Sequence, residues 1–481
     1  MRYTEKVVII GAGISGLACA FRLKQLGVRS QVLEAEDKPG GMIGTIRKNG
    51  YLFELGPQFP RFPSSVMRLI KDLHLEKEFL PGDPQARRYI FRHGKLHPAP
   101  FSASRILTTR LIGAASKLRF VGEPFGSSRP PEREETLAEF VERKFGADVL
   151  ENLVDPAVAT IFFGDARKMG MESALPILVK WEREHGSLVR GALHARSAKR
   201  AAENGSSGYP HSNGKPNSMQ LTDALPSTGS FVSGMGRLPE KLAEELYETI
   251  RYKVRPGLIQ AVRSENGNPA AGWKIVFTSG ETLTAERLVL AIPAYVAAEL
   301  LGRSAPQIAE QLSAIEYAPM FGLSSAYARS AVAHDLDGFG FMVPRIEGLR
   351  TISTFWNSSL FPERAPKDEV LITSFAEMNL SESGTVVDQE SYARTVEAEN
   401  KTILGITAGP LDRAIWSHSR ALPQYNVGHA KRVAGISDAL RQVPALHLTG
   451  NYLKGRGIGE CVEQSQSVAE EVHKLLQADS I

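Results

Sequence analysis

Cysteine is almost absent from this chain, and long apolar runs are missing. Among 481 residues only Cys19 and Cys461 are cysteines, so no disulfide framework holds the fold and a reducing compartment is expected. The uncharged stretches are shorter than the roughly 18 apolar residues that a membrane-spanning helix needs. No apolar leader precedes the first strand-like run, which predicts a cytoplasmic protein without a secretory signal.

Net charge is also small, at +4, but it is unevenly distributed. Residues 87–129 contain nine Lys and Arg against one acid, a net of +8, so the remainder carries −4. Residues 104–121 alternate basic and apolar positions at helical spacing, which predicts one amphipathic helix suited to anionic lipid. Its apolar residues are Ile106, Leu107, Leu111, Ile112, Ala115 and Leu118.

Two other interpretations of this basic segment stay open. It could be a solvated charged face, or a lining for a substrate with several carboxylates. A nucleic-acid partner is not expected, because the interleaved side chains are aliphatic instead of stacking aromatics. A metal site is not expected either, since Gly94 and Pro98 break any helix that would align His93 with His97.

The N-terminal residues form the clearest motif. A β-branched run over 6–10 leads into Gly11, Gly13 and Gly16 and then into a helical pattern. The first glycine permits a tight turn, the second lets a pyrophosphate approach the backbone, and the third lets the helix pack on the sheet. Glu34 ends the next strand at a distance that suits the ribose hydroxyls. This order predicts a dinucleotide-binding βαβ unit.

Two further glycine-rich turns favour FAD over NAD. Gly40 and Gly41 follow the ribose acid and resemble the second glycine pair of flavoproteins such as amine oxidases and phytoene desaturases. Near the C-terminus, 449–462 contains four glycines between a strand and a helix. The start of that helix would stabilise the anionic edge of a reduced flavin. Cys461 lies in an apolar stripe of the helix, so FAD is expected to bind non-covalently.

Motifs in the rest of the chain resemble one branch of these flavoproteins, the protoporphyrinogen and coproporphyrinogen oxidases. Residues 422–429 (LPQYNVGH) are similar to the IPQYxLGH motif of that family, and 337–344 (DGFGFMVP) are similar to its GFGxLVP strand. The further similar segments are 50–57, 182–188 and 291–294. Together with the nucleotide motif they extend from residue 7 to about 468, which is nearly the whole chain.

The resemblance implies an α/β fold with three parts and a linking loop. A discontinuous, Rossmann-like FAD-binding domain is expected over 1–85, 225–300 and 412–481. A basic α-helical domain that associates with membranes is expected over 86–200, and a flexible loop over 201–230. A substrate-binding domain built on a mixed sheet is expected over 300–411.

The resemblance also assigns residues to the two ligands. The FAD-binding residues would be Gly11, Gly13, Ser15, Gly16, Glu34, Lys38, Gly40, Gly41, Gly56, Val254, Gly450 and Ile458. Val254 would pair its backbone with the adenine edge, and Gly450 and Ile458 would lie beside the flavin. On the substrate side, Arg88 would meet a propionate, and Phe339 and Met342 would sandwich the tetrapyrrole ring. A surface role for Arg88 and a core role for the other two are the alternatives.

Some positions depart from the family pattern. Thr160 stands where the family has a glycine near the reacting carbon, and Phe163 stands where it has an alanine. Gln58 and Phe59 replace an Asn-Ser pair, and Met42 takes the place of an arginine found in amine oxidases. The first two departures leave the shape of the pocket open, and no side chain is assigned as a catalytic acid or base.

The implied function is oxidation of protoporphyrinogen IX to protoporphyrin IX, in three two-electron steps with FAD as hydride acceptor and oxygen as final acceptor. The enzyme would lie peripherally on the cytoplasmic face of a membrane. Oxidation of coproporphyrinogen III by the same fold is the alternative, and a non-catalytic protein that binds FAD and a tetrapyrrole is a third. The sequence leaves the oligomeric state open, a homodimer included.

Overall fold

The computed structural model of the protein describes residues 4–127, 129–204, 227–262, 272–378 and 388–479. Its strands, in chain order, are β1 (Glu5–Ile10), β2 (Ser30–Leu33), β3 (Thr45–Lys48), β4 (Tyr51–Glu54), β5 (Arg61–Phe62), β6 (Phe79–Pro81), β7 (Arg87–Arg92), β8 (Lys95–Pro98), β9 (Ser227–Phe231), β10 (Ile250–Arg251), β11 (Pro256–Val262), β12 (Gly272–Phe277), β13 (Thr282–Leu290), β14 (Tyr317–Ala328), β15 (Gly338–Met342), β16 (Thr351–Phe355), β17 (Glu369–Ala376), β18 (Asp412–Pro423) and β19 (Leu446–Leu448).

Helices connect and cover these strands. In chain order they are α1 (Ile14–Gln25), α2 (Ser64–Asp72), α3 (Ala103–Thr108), α4 (Ala114–Gly122), α5 (Leu137–Lys144), α6 (Ala147–Val149), α7 (Asp155–Phe162), α8 (Met171–Ala174), α9 (Pro176–His185), α10 (Leu188–Asn204), α11 (Arg237–Glu245), α12 (Ala294–Leu301), α13 (Pro306–Ser313), α14 (Asn357–Leu360), α15 (Gln389–Leu404), α16 (His429–Leu440) and α17 (Ile458–Ala478). Within the described ranges, no helix has the length and apolar character needed to cross a bilayer.

The first sheet has a parallel centre in the order β10-β2-β1-β13, with β19 also parallel to β13 and with β12 and β11 added antiparallel. Val7 and Ile9 of β1 join the core that contains α1 and α17, whereas Val8 and Ile10 join the core that contains α12 and α13. A parallel strand buried on both faces needs apolar residues at every position, which explains the unbroken β-branched run.

The second sheet has the order β18-β14-β17-β16-β15-β7-β8 and is antiparallel except between β15 and β7. Its pairing differs from the predicted division of the chain. The strands β7 and β8 fall in the predicted helical part, and β18 falls in the predicted FAD-binding part, yet all three belong to this sheet. Conversely, α13 packs with the first sheet although it was predicted in the substrate domain. The boundaries between the parts of the fold therefore depend on strand pairing and packing between residues that are far apart in sequence.

The predicted single helix over 104–121 is wrong, because the segment forms α3 and α4 with a break over 109–113. Thr109 adopts an extended conformation after α3, and Gly113 adopts one before α4. Between the two helices, Leu111 packs against Ile90 and Ala99, and Ile112 enters the core of the helical part. The apolar residues therefore do not share one exposed face, since tertiary contacts draw two of them inward.

The predicted loop over 201–230 lies largely outside the described residues. In the described part of that segment, α10 continues to Asn204 and β9 begins at Ser227. The strand β9 pairs with both β5 and β6, so the chain re-enters the fold beside the first sheet.

Candidate functional site

The turn between β1 and α1 is closed around two glycines. Gly11 has a φ of +106°, and a Cβ added there would lie 2.5 Å from the carbonyl oxygen of Ala291. A Cβ on Gly16 would overlap the carbonyl oxygen of Gly11. Both glycines are therefore required by the close packing of helix, turn and sheet, as the motif predicted.

Gly13 differs from its neighbours because a Cβ there would meet nothing within 4 Å. Its backbone forms a parallel bridge with Gly40, and a Cβ on Gly41 would lie 3.5 Å from the Cα of Gly13. The two glycine turns thus face each other in close contact, and open space remains beside Gly13 at the N-terminus of α1. A pyrophosphate fits this arrangement, because backbone N–H groups and the helix dipole favour negative charge there.

Glu34 lies against the first glycine turn. Its carboxylate accepts hydrogen bonds from the N–H of Ala12, at 2.7 Å, and from the N–H of Glu36, at 2.9 Å. The N–H of Val254 donates to the carbonyl oxygen of Glu34 at 2.9 Å. Because this N–H already has an acceptor, only the carbonyl group of Val254 remains for the expected pairing with an adenine edge. The Lys38 side chain is exposed beside this region.

The C-terminal glycine turn lies against the start of α1. The hydroxyl of Ser15 bonds to the thiol of Cys461, which joins the N-terminal turns of α1 and α17. Burial raises the pKa of Cys461 to about 11, so the thiol stays protonated at neutral pH and does not favour attachment to a flavin. The N–H of Gly450 donates to the Gln464 side chain at 3.2 Å. Ile458, the first residue of α17, lines a large cavity together with Gly56.

This cavity has a volume of about 660 Å³, which is in the range of small-molecule sites, and all three parts of the fold contribute to it. Its lining includes seven phenylalanines, namely Phe59, Phe101, Phe163, Phe339, Phe341, Phe355 and Phe375. It also includes five arginines, Arg61, Arg87, Arg88, Arg105 and Arg456, of which only Arg87 forms an ion pair within the described residues, and no acidic side chain among the described residues. An apolar, aromatic space with cations at its wall suits a flat hydrophobic ligand that carries negative groups.

Arg88 projects from β7 into the cavity. Its guanidinium lies 4.5 Å from the ring centre of Phe339 and 5.5 Å from that of Phe101. Burial and the nearby Arg61 lower the pKa of Arg88 more than the charge of Asp83 raises it, and no carboxylate of the described residues forms an ion pair with Arg88. By contrast, the neighbouring Arg87 is bound to Asp337 at 2.7 Å. The cation predicted to bind a carboxylate is therefore held in place by rings and is free to do so.

Phe339 and Met342 both line the cavity although they are three residues apart on β15. In a regular strand, positions three apart lie on opposite faces. The pairing with β7 changes register between Gly338 and Gly340, and Gly340 has a φ of +134°. This irregularity gives both side chains access to the same space.

Thr160 and Phe163 form the end of α7 at the cavity. The hydroxyl oxygen of Thr160 is buried and has no hydrogen-bond partner within the described structure. Phe163 follows α7 in the left-handed region, with a φ of +49°, and its ring packs edge-on against Phe375 at 5.3 Å. A bulky residue rarely adopts this conformation, so the position is strained next to the cavity.

Several residues of the cavity were not predicted as functional. Phe59, noted only as a departure from the family pattern, lies 4.6 Å from Phe339 and 5.6 Å from Phe361, measured between ring centres. Phe355 and Arg61 gave no sequence signal, because they reach the cavity only through sheet pairing. Arg456 lies inside the glycine-rich motif before α17, so its position could have drawn attention. No cluster of three or more His, Cys, Asp and Glu side chains that could hold a metal occurs in the described residues.

The fold and site define a flavoprotein class, and comparison with known proteins agrees. The family described as flavin containing amine oxidoreductase matches residues 14–473, so the chain belongs to that family. It is therefore a flavin-dependent oxidoreductase, with a flavin as its cofactor.

Curated relatives place the chain more narrowly. It is 30% identical to a chloroplastic protoporphyrinogen oxidase 1 from Spinacia oleracea, over 98% of this chain and 84% of the relative. It is 29% identical to a chloroplastic protoporphyrinogen oxidase from Nicotiana tabacum, over 98% of this chain and 85% of the relative. A coproporphyrinogen III oxidase from Bacillus subtilis is 26% identical over 97% of each chain. The resemblance to porphyrinogen oxidases is thus confirmed.

Solved structures share the fold. A provisionally named protoporphyrinogen oxidase from Exiguobacterium sp. 255-15 has a TM-score of 0.78 at 22% identity, over 99% of this chain and 100% of its own. A reduced UDP-galactopyranose mutase has a TM-score of 0.70 at 16% identity, over 98% of this chain and 95% of its own. The predicted α/β architecture of flavin-dependent oxidoreductases is confirmed, while association of the helical part with membranes stays a prediction.

Proposed function

We propose that this chain is an FAD-dependent porphyrinogen oxidase that converts protoporphyrinogen IX to protoporphyrin IX with oxygen as the electron acceptor. The lining of the cavity carries the proposal, because it combines seven phenylalanines with five arginines and no described acidic side chain. A tetrapyrrole has a wide apolar ring system and carboxylates at its edge, so it matches both features. The curated relatives support the same class of substrate.

The proposed roles follow from the contacts in the cavity. FAD, bound non-covalently across the two facing glycine turns, would supply the hydride acceptor. Arg88 would bind a propionate through charge-assisted hydrogen bonds, since its charge is unpaired. Phe339 and Met342 would pack against the ring system, with Phe59 supporting Phe339. Thr160 would offer its unpartnered hydroxyl to the substrate.

Turnover of a porphyrinogen by the flavin-loaded protein tests this proposal. Aerobic incubation should produce porphyrin fluorescence and consume oxygen, and anaerobic mixing should bleach the flavin. Bleaching by an amine or a carotenoid precursor, but by neither porphyrinogen, would contradict the assignment to this branch. A flavin that no porphyrinogen bleaches, in a protein that still binds porphyrin, would identify a non-catalytic binding protein.

Coproporphyrinogen III is the second candidate substrate, and one observation favours it. Arg61 lowers the pKa of Arg88 through its charge, so the two guanidinium groups lie close together, and both line the cavity. Two neighbouring cations suit a substrate with more propionates than protoporphyrinogen has. Side-by-side turnover decides between them, with Arg61→Gln as the diagnostic variant. We expect that variant to raise KM more for coproporphyrinogen than for protoporphyrinogen.

We further propose that the helical part lies on a membrane surface at the cytoplasmic face. On α4 and the turn after it, Leu118 is 71% exposed, Val121 52% and Phe125 85%. Such apolar exposure beside Arg110 and Lys117 suits insertion among anionic headgroups. The support is this local combination of charge and exposed apolar side chains, in place of the single amphipathic helix expected from the sequence.

Flotation with vesicles of phosphatidylcholine, with and without phosphatidylserine, tests membrane binding. The double variant Leu118→Ser/Val121→Ser should lose binding to both vesicles, whereas Arg110→Gln/Lys117→Gln should lose only the preference for phosphatidylserine. The control Lys431→Gln/Arg441→Gln makes the same charge change on α16 and on the residue that follows it. Unchanged flotation of the first double variant would overturn the membrane role of α4.

A further inference from the structure

Arg456 is a cation of the cavity that has no role in the function proposed above. It lies between Gly455 and Gly457, in the turn that immediately precedes α17, and it lines the cavity. Its guanidinium carbon lies 3.2 Å from the ring centre of Phe162, which ends α7, and 5.3 Å from that of Tyr425. The side chain is therefore fixed between rings that come from two different parts of the chain.

Arg456 is only partly exposed and forms no ion pair within the described residues, although the charge of Glu460 partly offsets the lowering of its pKa by burial. Its Nη1 atom is inaccessible to solvent and has no hydrogen-bond partner in the described structure. Burial lowers the pKa of Arg456 to about 10, which still leaves the group protonated at neutral pH. Because a partly buried charge without an ion-pair partner is costly, such an arrangement suits a site that a negatively charged ligand completes.

Two stacked rings lie beside Arg456. The ring of Tyr425 stacks on that of His429, with 4.2 Å between ring centres, and donates its hydroxyl to the carbonyl of Asn451 at 2.7 Å. Burial lowers the pKa of His429 to about 4, so this imidazole is neutral at neutral pH. Arg456 is therefore the charged member of a stack that is otherwise uncharged.

The position of Arg456 on the cavity wall indicates which ligand it faces. It is adjacent to Gly457 and Ile458, and the same wall includes Gly56 and Met42, next to the glycine turns. Arg88, in contrast, is carried by the second sheet and held by Phe339 and Phe101. Arg456 and Arg88 thus reach the cavity from different parts of the fold.

We propose that Arg456 faces the pyrimidine edge of the bound flavin and supplies a positive charge that favours its reduced, anionic form. This inference rests on the proposed function. Two-electron reduction with one proton taken up leaves one negative charge on the flavin, shared by N1 and the C2 carbonyl oxygen. A fixed guanidinium in a water-poor site stabilises that charge strongly. Arg456 is then a positioning residue that sets the reduction potential of the flavin.

The test compares the flavin-loaded wild type with Arg456→Leu, Arg456→Gln and Arg456→Lys. The reduction potential is measured against redox dyes, and the affinity for sulfite is measured in parallel, because sulfite forms an anionic adduct with flavin. Lys454→Gln is the matched control, since it removes an exposed charge two residues away in the same turn. The unfolding temperature of each variant shows whether the stack with Phe162 and Tyr425 still supports the fold.

The two neutral variants should lower the ratio of affinities for reduced and oxidised flavin at least tenfold, a shift of about −30 mV for a two-electron couple. Their dissociation constant for sulfite should rise by a similar factor, while Arg456→Lys and Lys454→Gln stay close to the wild type. An unchanged potential with a raised KM for porphyrinogen would overturn the inference and identify a substrate carboxylate as the ligand. Unchanged potential and KM would leave Arg456 a structural role only. Failure of the wild type to bind flavin would overturn the proposed function as well.

Discussion

At the scale of single residues, the glycines of the first turn serve two different purposes. Gly16 lies where a Cβ would overlap backbone, whereas Gly13 lies beside open space. The first requirement belongs to the fold, and the second belongs to the ligand. The motif predicts both glycines in the same way, and only the packing around each glycine distinguishes their roles.

Exchange of each glycine for alanine should therefore give opposite results. Gly16→Ala is expected to lower the free energy of unfolding by about 1–3 kcal/mol, because the added methyl group overpacks the turn. Gly13→Ala is expected to keep the stability of the flavin-free protein within about 0.5 kcal/mol. It should nevertheless weaken FAD binding at least about tenfold, or 1.4 kcal/mol. Chemical unfolding without flavin and flavin titration measure the two effects, and equal FAD affinity of Gly13→Ala and wild type would contradict the assignment.

Arg88 gives a second prediction at this scale. Replacing it with methionine keeps the apolar contact with Phe339 but removes the charge. Since a hydrogen bond to a charged group contributes about 1.5–3 kcal/mol, KM for porphyrinogen should rise roughly 10- to 100-fold with a smaller change in kcat. Steady-state turnover at several substrate concentrations measures the change. Lys95→Gln, an exposed charge change on the neighbouring strand, is the control. A purely lower kcat would argue against a carboxylate partner.

At the scale of elements, the start of α10 is anchored by one carboxylate from a different part of the helical region. Glu123 accepts hydrogen bonds from the Ser187 hydroxyl at 2.8 Å and from the N–H groups of Leu188 and Val189 at 2.6 and 3.1 Å. Burial alone would raise the pKa of Glu123, but these donors together with the charge of Lys144 lower it below its usual range. The carboxylate thus acts as the N-terminal cap of this helix.

The sign of this pKa shift predicts the pH dependence of stability. Because the folded-state pKa is lowered, the interaction stabilises the fold above the unfolded-state pKa of about 4.3, and the contribution is lost as pH falls through the folded-state pKa. Glu123→Gln should lower the free energy of unfolding by about 1–2 kcal/mol at neutral pH. The difference from wild type should vanish in acid.

Thermal unfolding followed by circular dichroism over a pH series measures this effect. Glu132→Gln changes an exposed carboxylate of the same region and should be indistinguishable from wild type. A loss of stability in Glu123→Gln that is independent of pH would rule out the capping charge as its cause.

At the scale of the whole molecule, a buried ion pair joins segments that are far apart in sequence. Glu54 and Arg364 lie 3.2 Å apart, and both side chains are 2% exposed. Glu54 also accepts from the N–H of Met235 at 2.9 Å, and Arg364 donates to the Ser230 hydroxyl at 2.6 Å. The pair thus ties the β3–β4 hairpin, the segment after β9 and the turn after α14 into one unit.

Breaking this pair from one side should destabilise the whole fold. Arg364→Met leaves Glu54 as an uncompensated buried charge, so the free energy of unfolding should fall by about 3–5 kcal/mol. The double variant Glu54→Gln/Arg364→Met removes both charges and should recover part of that loss. Urea unfolding of the wild type, of each single variant, Glu54→Gln and Arg364→Met, and of the double variant measures the coupling. Additive losses in the double variant would show that the two side chains do not interact.

Local requirements were readable from the sequence. The glycine turns at Gly11 and Gly40, the position of Glu34 directly after β2 and the continuous apolar run of β1 each depend on backbone sterics or on burial of a short segment. Such requirements act on neighbours in the chain, so a short motif contains them. The family resemblance then supplied Arg88, Phe339 and Met342, which the structure brings to one cavity.

Long-range packing decided the rest. The strands β7 and β18 pair with strands that lie far away in sequence, so the sequence alone did not place them in the second sheet. The amphipathic segment 104–121 forms two helices because Leu111, between them, is buried against Ile90 and Ala99. Arg456 became a fixed, unpaired cation only because Phe162, almost three hundred residues earlier, packs against it. The sequence by itself determined which turns could hold a dinucleotide, while tertiary structure determined which charges face the ligands, because burial and charge pairing depend on contacts between distant parts of the chain.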